Sequence, residues 1–465
     1  MPTTVSTSFN YDYYPSNALT HGTFVTLIVI AAAVLVAGIL LLILGTARNH
    51  FLAKIFGVIF LALGGVTLLG TWYYQKNSQT LSEPVFSNKT MLASLWENYK
   101  GSYIDPSSGR TFDTERSNDS TSEGEGYTML RAVWMDDEPT FDASWKWTQT
   151  NLQRSDNLFS WLWGPSTTAG NGGGNTTGGV IVAQNGENSA SDADTDIALS
   201  LIFAYARWQN PAYLEAAIPI VKSIWANEVF IANNEPYLAP NNLTSAEKTQ
   251  EMQPIDPSYF APYAYRIFAQ VDPSDDWNGL INTSYQVLDN SIALPLDAST
   301  SATSADLPPD WVVMDTTTGS LSAPAASSGE DTNFGYDALR VPFRIALDWE
   351  WNKDPRAEAV LQKLHFLTDQ WDKQQILDAV YAHDGTPVPP LYQDPAVYGG
   401  TIGYFMVADP ADSNTVYTEK LQSLYDPDTQ TWRLPLSYYD SNIAWFGMAL
   451  YNNDLPNLFA LNFSQ

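Results

Sequence analysis

The sequence predicts an all-α protein, a barrel of six helical hairpins, (α/α)6, preceded by two transmembrane helices. Three observations carry this expectation. Twelve helix-length segments follow one another between residues 89 and 465, they alternate between amphipathic and uniformly apolar, and two long apolar runs precede them. At 465 residues the chain is long enough for one large domain plus an appendage.

The N-terminal elements come first. Residues 1–23 are a polar tail without Lys or Arg, expected outside the cytoplasm, and Phe24 to Leu44 then run apolar for about twenty residues, the length that crosses a bilayer. After Arg48 and Lys54 a second apolar run, Ile55 to Thr71, closes on Trp72, Tyr73 and Tyr74. A membrane hairpin over residues 24–74, with the lipid bilayer as its partner, is the expectation. A cleaved signal peptide would need a basic n-region and a shorter apolar core. The two basic residues mark the connecting loop as cytoplasmic, so both ends lie outside. Gly57, Gly64 and Gly65 allow close helix approach, and Trp72 to Tyr74 suit an interfacial belt. Residues 75–88 read as a polar linker.

The twelve helix candidates are roughly 90–102, 123–135, 140–152, 191–209, 211–229, 257–271, 275–292, 336–352, 355–373, 396–409, 413–426 and 440–454. Odd members, such as Pro355 to Lys373, place apolar residues at i, i+3, i+4 and i+7 with charges between, as an outer helix would. Even members are apolar or small all round, as a buried inner helix would be. A glycine-rich insertion, 166–180, reads as a flexible loop, and residues 294–330 as a long connection containing a strand pair.

Composition excludes several classes of function. With 51 acidic against 22 basic residues the net charge is -29, which argues against nucleic acid or anionic lipid as the partner surface and suits a neutral or cationic polymer. There is no Cys, hence no disulfide scaffold and no thiol chemistry. His365 and His383 lack metal-ligand spacing, so neither a metal nor another cofactor is expected.

Three acids stand at the starts of even, inner helices. In Ala190 to Trp208, Ser191 suits an N-cap and Asp194 completes a capping box, leaving Asp192 without local duty. Asp192, Asp194 and Asp196 mimic the opening of a calcium loop, but Ile197 stands where the sharp turn needs Gly. Likewise Ser122 and Glu125 can pair as a capping box, which leaves Glu123, with Gly124 and Gly126 keeping the backbone bare. Asp337 begins the eighth helix, with Arg340 one turn on. Inner helices of such a barrel run parallel, so these acids converge on one cleft.

These motifs resemble glycoside hydrolase family 8. Ala190 to Trp208 meets the family signature Ala-Ser/Thr-Asp-Ala/Gly-Asp-x-x-Ile/Met-Ala-x-Ser/Ala, through Ala198, Ser200 and Ala204. Ser122 to Tyr127 is similar to its Ser-Glu-Gly-x-x-Tyr segment, and Tyr336, Asp337, Ala338, Arg340, Pro342 and Arg344 to the context of the general base in one subgroup. The resemblance covers about residues 90–465. It implies Glu123 as general acid, Asp337 as general base and Asp192 beside the sugar whose bond is cut, with Arg340 holding the base or contacting hydroxyls. Arg344 would pair with a core acid. Tyr336, Trp161, Trp163, Tyr259 and Tyr439 are the expected substrate-binding aromatics. Burial and a neighbouring ionised Asp would lift the Glu123 pKa against the helix dipole.

The implied protein is a membrane-anchored, inverting endo-β-glycanase, its catalytic domain outside the cytoplasm. Its substrate would be a β-1,4-linked polysaccharide, a cellulose-like glucan before mixed-linkage glucan, xylan or chitosan. A polysaccharide synthase complex is a candidate partner. The competing expectation is a catalytically silent glycan-binding accessory of such a synthase, since Glu125 and the glycine-rich insertion depart from the family pattern.

Overall fold

A computed structural model of the chain describes residues 21–47, 50–80, 88–165, 178–296 and 303–461. It divides into two units at Ser87. In the first, α1 (His21–Ala47) and α2 (Phe51–Thr80) pack side by side. Gly57 and Gly64 lie in their seam, where a Cβ would meet Leu42 at 2.6 Å and Leu35 at 2.7 Å. Gly65, also expected there, faces open space, because the next residue on a helix points roughly 100° away. Among the described residues Ile30–Ala47 is long and apolar enough to cross a membrane, and the apolar part of α2, Phe51–Gly65, is shorter.

Lys54 lies inside the first turn of α2 rather than in the loop, and the helix continues to Thr80 through half of the expected linker. No Gly or Pro between Thr71 and Thr80 stops it. Residues 1–20, Arg48, residues 81–87 and the side chains of Trp72 to Tyr74 lie outside the described set, so the tail and the aromatic belt remain expectations.

The second unit is the predicted (α/α)6 barrel. Its inner helices are α4 (Ser122–Trp134), α6 (Ser191–Trp208), α8 (Pro262–Val271), α10 (Arg340–Asn352), α13 (Pro395–Ala408) and α15 (Tyr438–Tyr451). Its outer layer is α3 (Asn88–Tyr103), α5 (Glu138–Asn151), α7 (Pro211–Glu228), α9 (Trp277–Ala293), α11 (Pro355–Lys363) with α12 (Phe366–Gln374), and α14 (Pro410–Val416). A short α16 (Leu458–Leu461) packs against α6. Consecutive inner helices touch from α4 to α15, and Arg131 donating to Asn442 at 3.0 Å closes the ring. The core lies between the layers, and the inner helices are buried on nearly every side, as the absence of an amphipathic stripe predicts. Tight crossing of α13 and α15 requires glycine on both. A Cβ at Gly399 would fall 2.3 Å from the Ile443 carbonyl, and one at Gly447 2.4 Å from the Gly399 carbonyl.

Several boundaries moved for identifiable reasons. The expected helix 257–271 is a 3-10 turn, Pro257–Tyr259, then α8, since Ala261 precedes a proline and takes φ -130, ψ 67 instead of a helical conformation. Residues 336–339 form a turn, so Asp337 precedes α10 instead of beginning it. The segment 355–373 breaks at Leu364, and 413–426 passes from α14 into a π-helical turn, Tyr417–Leu421.

Strands β1 (Ser120–Thr121), β2 (Leu162–Gly164) and β3 (Gly179–Val180) form a small sheet at the entrance of α4. A hairpin joins β4 (Val229–Ala232) to β5 (Glu235–Leu238). In β6 (Met252–Ile255), β7 (Val312–Asp315) and β8 (Leu321–Ser322), the last two are the strand pair expected within 294–330. Residues 166–177, most of the glycine-rich insertion, lie outside the described residues.

Candidate active site

Each acid is placed by the start of a different inner helix. Thr121 caps α4 by accepting the Gly124 amide at 3.1 Å, which sets Glu123 in the first turn. The predicted Ser122–Glu125 capping box does not form. Glu125 turns away into the core and accepts from the Thr111 amide (2.8 Å), the Thr111 hydroxyl (3.2 Å) and Ser144 (2.7 Å). The second predicted box also fails. Ala190 occupies the N-cap of α6 without a side-chain bond, Ser191 donates to the Ala239 carbonyl at 2.7 Å, and Asp194 accepts the Phe159 amide at 2.9 Å. In both cases the pull of tertiary partners on a buried polar group exceeded the roughly 1 kcal/mol that a local cap offers. Asp192 accepts the Ala193 amide at 2.8 Å through one oxygen and turns the other to Arg340.

Arg340 gathers all three acids. Its Nη1 lies 2.9 Å from Glu123 Oε2 and 3.0 Å from Asp192 Oδ2, while Nη2 lies 2.8 Å from Asp337 Oδ1 and 2.9 Å from Ser258 Oγ. Asp256 stands 3.9 Å from Nη2, and the Tyr259 ring lies against the guanidinium, 5.3 Å from its centroid. The planar fork of arginine suits this many acceptors, whereas a lysine ammonium would not. Exposure divides the roles: the side chains of Glu123 and Asp337 are 25% and 38% exposed, those of Asp192 and Arg340 2% and 3%. Only the first two can meet a ligand and solvent freely. One turn deeper, Arg344 binds Asp196 through both nitrogens (3.1 and 2.9 Å) and donates to Tyr263 at 2.9 Å, the core pairing expected of it.

Burial and neighbouring charges act on both of the more exposed acids. Burial pushes the Glu123 carboxyl up to about 7, Arg340 opposes this, and Asp192 and Asp337 add to it, so that it keeps a proton near neutrality. Asp337 is also raised by burial, but Arg340 and the Trp311 indole, which donates at 3.3 Å to Oδ2, favour its ionised form. Among the described residues no group of His, Cys, Asp and Glu could hold a metal ion.

The aromatics fall into two groups. Trp161 is half-buried, and its carbonyl accepts the Ser122 amide at 3.0 Å, which puts it beside Glu123. Tyr259 is half-buried against Arg340 and, edge-on, Trp311. Tyr439 donates to the Tyr336 carbonyl, and the Tyr336 hydroxyl donates to Asp394 at 2.7 Å, so both rings line the mouth with their hydroxyls engaged. Trp163 is a correction. It is 8% exposed and edge-packed on Trp147 at 5.3 Å, on a strand whose three residues are all buried.

Asp256, Ser258, Asp310 and Trp311 were missed from the sequence. The Asp256-Pro257 pair, an N-cap ahead of a proline at N1, was a readable signal for the first. Asp310 and Trp311 lie in a Ser- and Pro-rich connection without periodicity and gave none.

The family model for glycosyl hydrolases family 8 matches residues 72–375. Endoglucanase 2 of Ruminiclostridium josui is 31% identical over 289 residues, 60% of this chain and 54% of that protein. The chain therefore spans about half the length of that relative. The fold is similar to an endo-1,4-D-glucanase from Vibrio fischeri ES114, with TM-score 0.62, 22% identity and 77% and 94% of the two chains covered. It is also similar to Rex8A from Paenibacillus barcinonensis, solved with xylose, with TM-score 0.58, 21% identity and 80% and 95% covered.

Proposed function

Since the chain belongs to glycosyl hydrolase family 8, we propose that it is an inverting endo-β-glycanase acting on a β-1,4-linked glucan, anchored in a membrane by its N-terminal helices. The observation that carries the reading is the convergence of Glu123, Asp192 and Asp337 on the buried Arg340 at the mouth of the barrel. Glu123, held protonated by burial, donates its proton to the leaving glycosidic oxygen. Asp337, the most exposed of the three, takes a proton from the attacking water on the opposite face of the sugar. Asp192 stays buried against Arg340, beside the sugar whose bond is cut.

Inversion is favoured by where the two carboxylates come from. Glu123 stands on α4 and Asp337 before α10, which are separated by α6 and α8 round the ring on one side and by α13 and α15 on the other. A retaining pair needs carboxyls roughly 5–5.5 Å apart, whereas an inverting pair stands roughly 6.5–9.5 Å apart to admit the water. Opposed helices suit the wider spacing. A glucan is preferred because the relatives named above include endoglucanases; a link to polysaccharide synthesis rests on the membrane anchor alone.

The test is Glu123→Gln, assayed for reducing-end release on soluble cellulose derivative, mixed-linkage glucan, xylan and chitosan. The amide is isosteric but cannot protonate the leaving group, so activity falls at least about a hundredfold with oligosaccharide binding retained. Activity within about tenfold of the parent removes Glu123 from the role.

A further inference from the structure

The three acids are not fixed by the same means. Glu123 and Asp192 ride on the first turns of α4 and α6, whose backbones are held by helical bonding. Asp337 lies in a turn three residues ahead of α10, and the N-cap of that helix, Leu339, offers no side-chain acceptor. An acid in such a turn needs an outside anchor, and the chain supplies one from the segment leading into β7.

One oxygen of Asp310 accepts three consecutive-turn amides, from Gly335 (3.2 Å), Asp337 (3.1 Å) and Ala338 (2.6 Å). Its other oxygen packs on Gly335 so closely that a Cβ there would lie 2.3 Å away, which explains glycine at that position. Backbone bonds from Asp310 to Asn333 (2.7 Å) and from Trp311 to Asp331 (3.0 Å) tie the two segments together. The next residue reaches the carboxylate itself, since the Trp311 indole N–H donates to Asp337 Oδ2 at 3.3 Å while Arg340 holds Oδ1. We infer that Asp310 and Trp311 act as a pair of positioning residues for the general base, Asp310 shaping the turn that carries Asp337 and Trp311 holding its carboxylate ionised and aimed. This rests on Asp337 being the base. Burial and the neighbouring Asp337 push the Asp310 carboxyl well up, and a protonated carboxyl still presents one oxygen to the three amides, as a carboxamide does.

Four variants of the full chain test this: Trp311→Phe, Asp310→Ala, Asp310→Asn and Asp337→Asn. A hydrogen bond to a carboxylate favours its charged form, so removing the indole donor raises the base pKa. The acid limb of kcat/KM in Trp311→Phe moves to higher pH, and kcat falls about tenfold with KM within about twofold, the scale of one lost bond to a charged group. Asp310→Ala loses kcat by about a hundredfold, and Asp310→Asn restores most of it because its amide oxygen accepts the same three N–H groups. An unshifted acid limb in Trp311→Phe, or Asp310→Asn no better than Asp310→Ala, overturns the positioning role while a dead Asp337→Asn leaves the base in place. If instead Asp337→Asn keeps activity within tenfold of the parent, the base assignment falls and the positioning role with it.

Discussion

Glu125→Gln isolates a term in the stability of the barrel that the structure makes unusually clear. Glu125 is 0% exposed and bonded to Thr111 and Ser144, with Arg110 as its charged neighbour, whose pull favours the ionised form. Burial pushes its carboxyl up from 4.5 to about 8 against those hydrogen bonds. The sign follows from linkage. Between these two values the folded protein holds a proton that the unfolded chain has released, so stability falls as pH rises, by at most about 1.4 kcal/mol per pH unit, and levels off above the folded value. From pH 5 to 7.5 the loss from this one group is about 3 kcal/mol. Gln keeps the acceptor for the Thr111 amide and donates to a hydroxyl, but it does not titrate. Denaturant unfolding of the full chain in detergent, measured at half-unit steps, checks it. The variant should match the parent near pH 5 and exceed it by about 3 kcal/mol at pH 7.5, leaving the decline due to the other buried carboxyls that the fold raises, among them Glu123 and Glu228, both raised to about 7, and Asp194, Asp256 and Asp310. Parallel pH profiles for parent and variant would refute the reasoning, because Glu125 would then be ionised in the fold or solvated there.

Three further outcomes are expected. Proton NMR within minutes of mixing should show the α-anomer first from a β-linked glucan, and early β-anomer would remove the water-activating role of Asp337. The rate should fall as pH rises through about 7, where Glu123 loses the proton that it must donate; a limb that does not move in Glu123→Gln residual activity belongs to another group. The full chain should sediment with membranes, and protease added to intact cells should release the barrel by cutting near residues 81–87. Protection until lysis would invert the topology.

Much of this was legible because it rests on local pattern. Helix period and the contrast between amphipathic and uniformly apolar segments marked the six inner helices and the six outer segments, one of which the fold breaks into α11 and α12, since burial on one face or on all faces leaves a direct mark on the sequence. Parallel inner helices then implied that acids near their starts would lie together, and Glu123, Asp192 and Asp337 all contact Arg340. Arg344 pairs with Asp196, a core acid, as the family resemblance implied.

What tertiary structure decided is where polar groups found partners. Ser122, Glu125, Ser191 and Asp194 fit capping boxes by spacing, yet Thr121 took the cap expected of Ser122, and buried positions gave the other three bonds to Thr111, Ser144, Ala239 and Phe159, residues distant in the chain. Trp163, expected as a sugar platform, lies buried on the edge of Trp147, a partner sixteen residues earlier that no local pattern announces. Only the folded chain could bring Asp310 and Trp311 onto the turn that carries Asp337, because a carboxylate that binds amides of residues about 25 positions later leaves no periodic trace. Periodicity records which face of an element is buried; it does not record which distant donor a buried acceptor will meet.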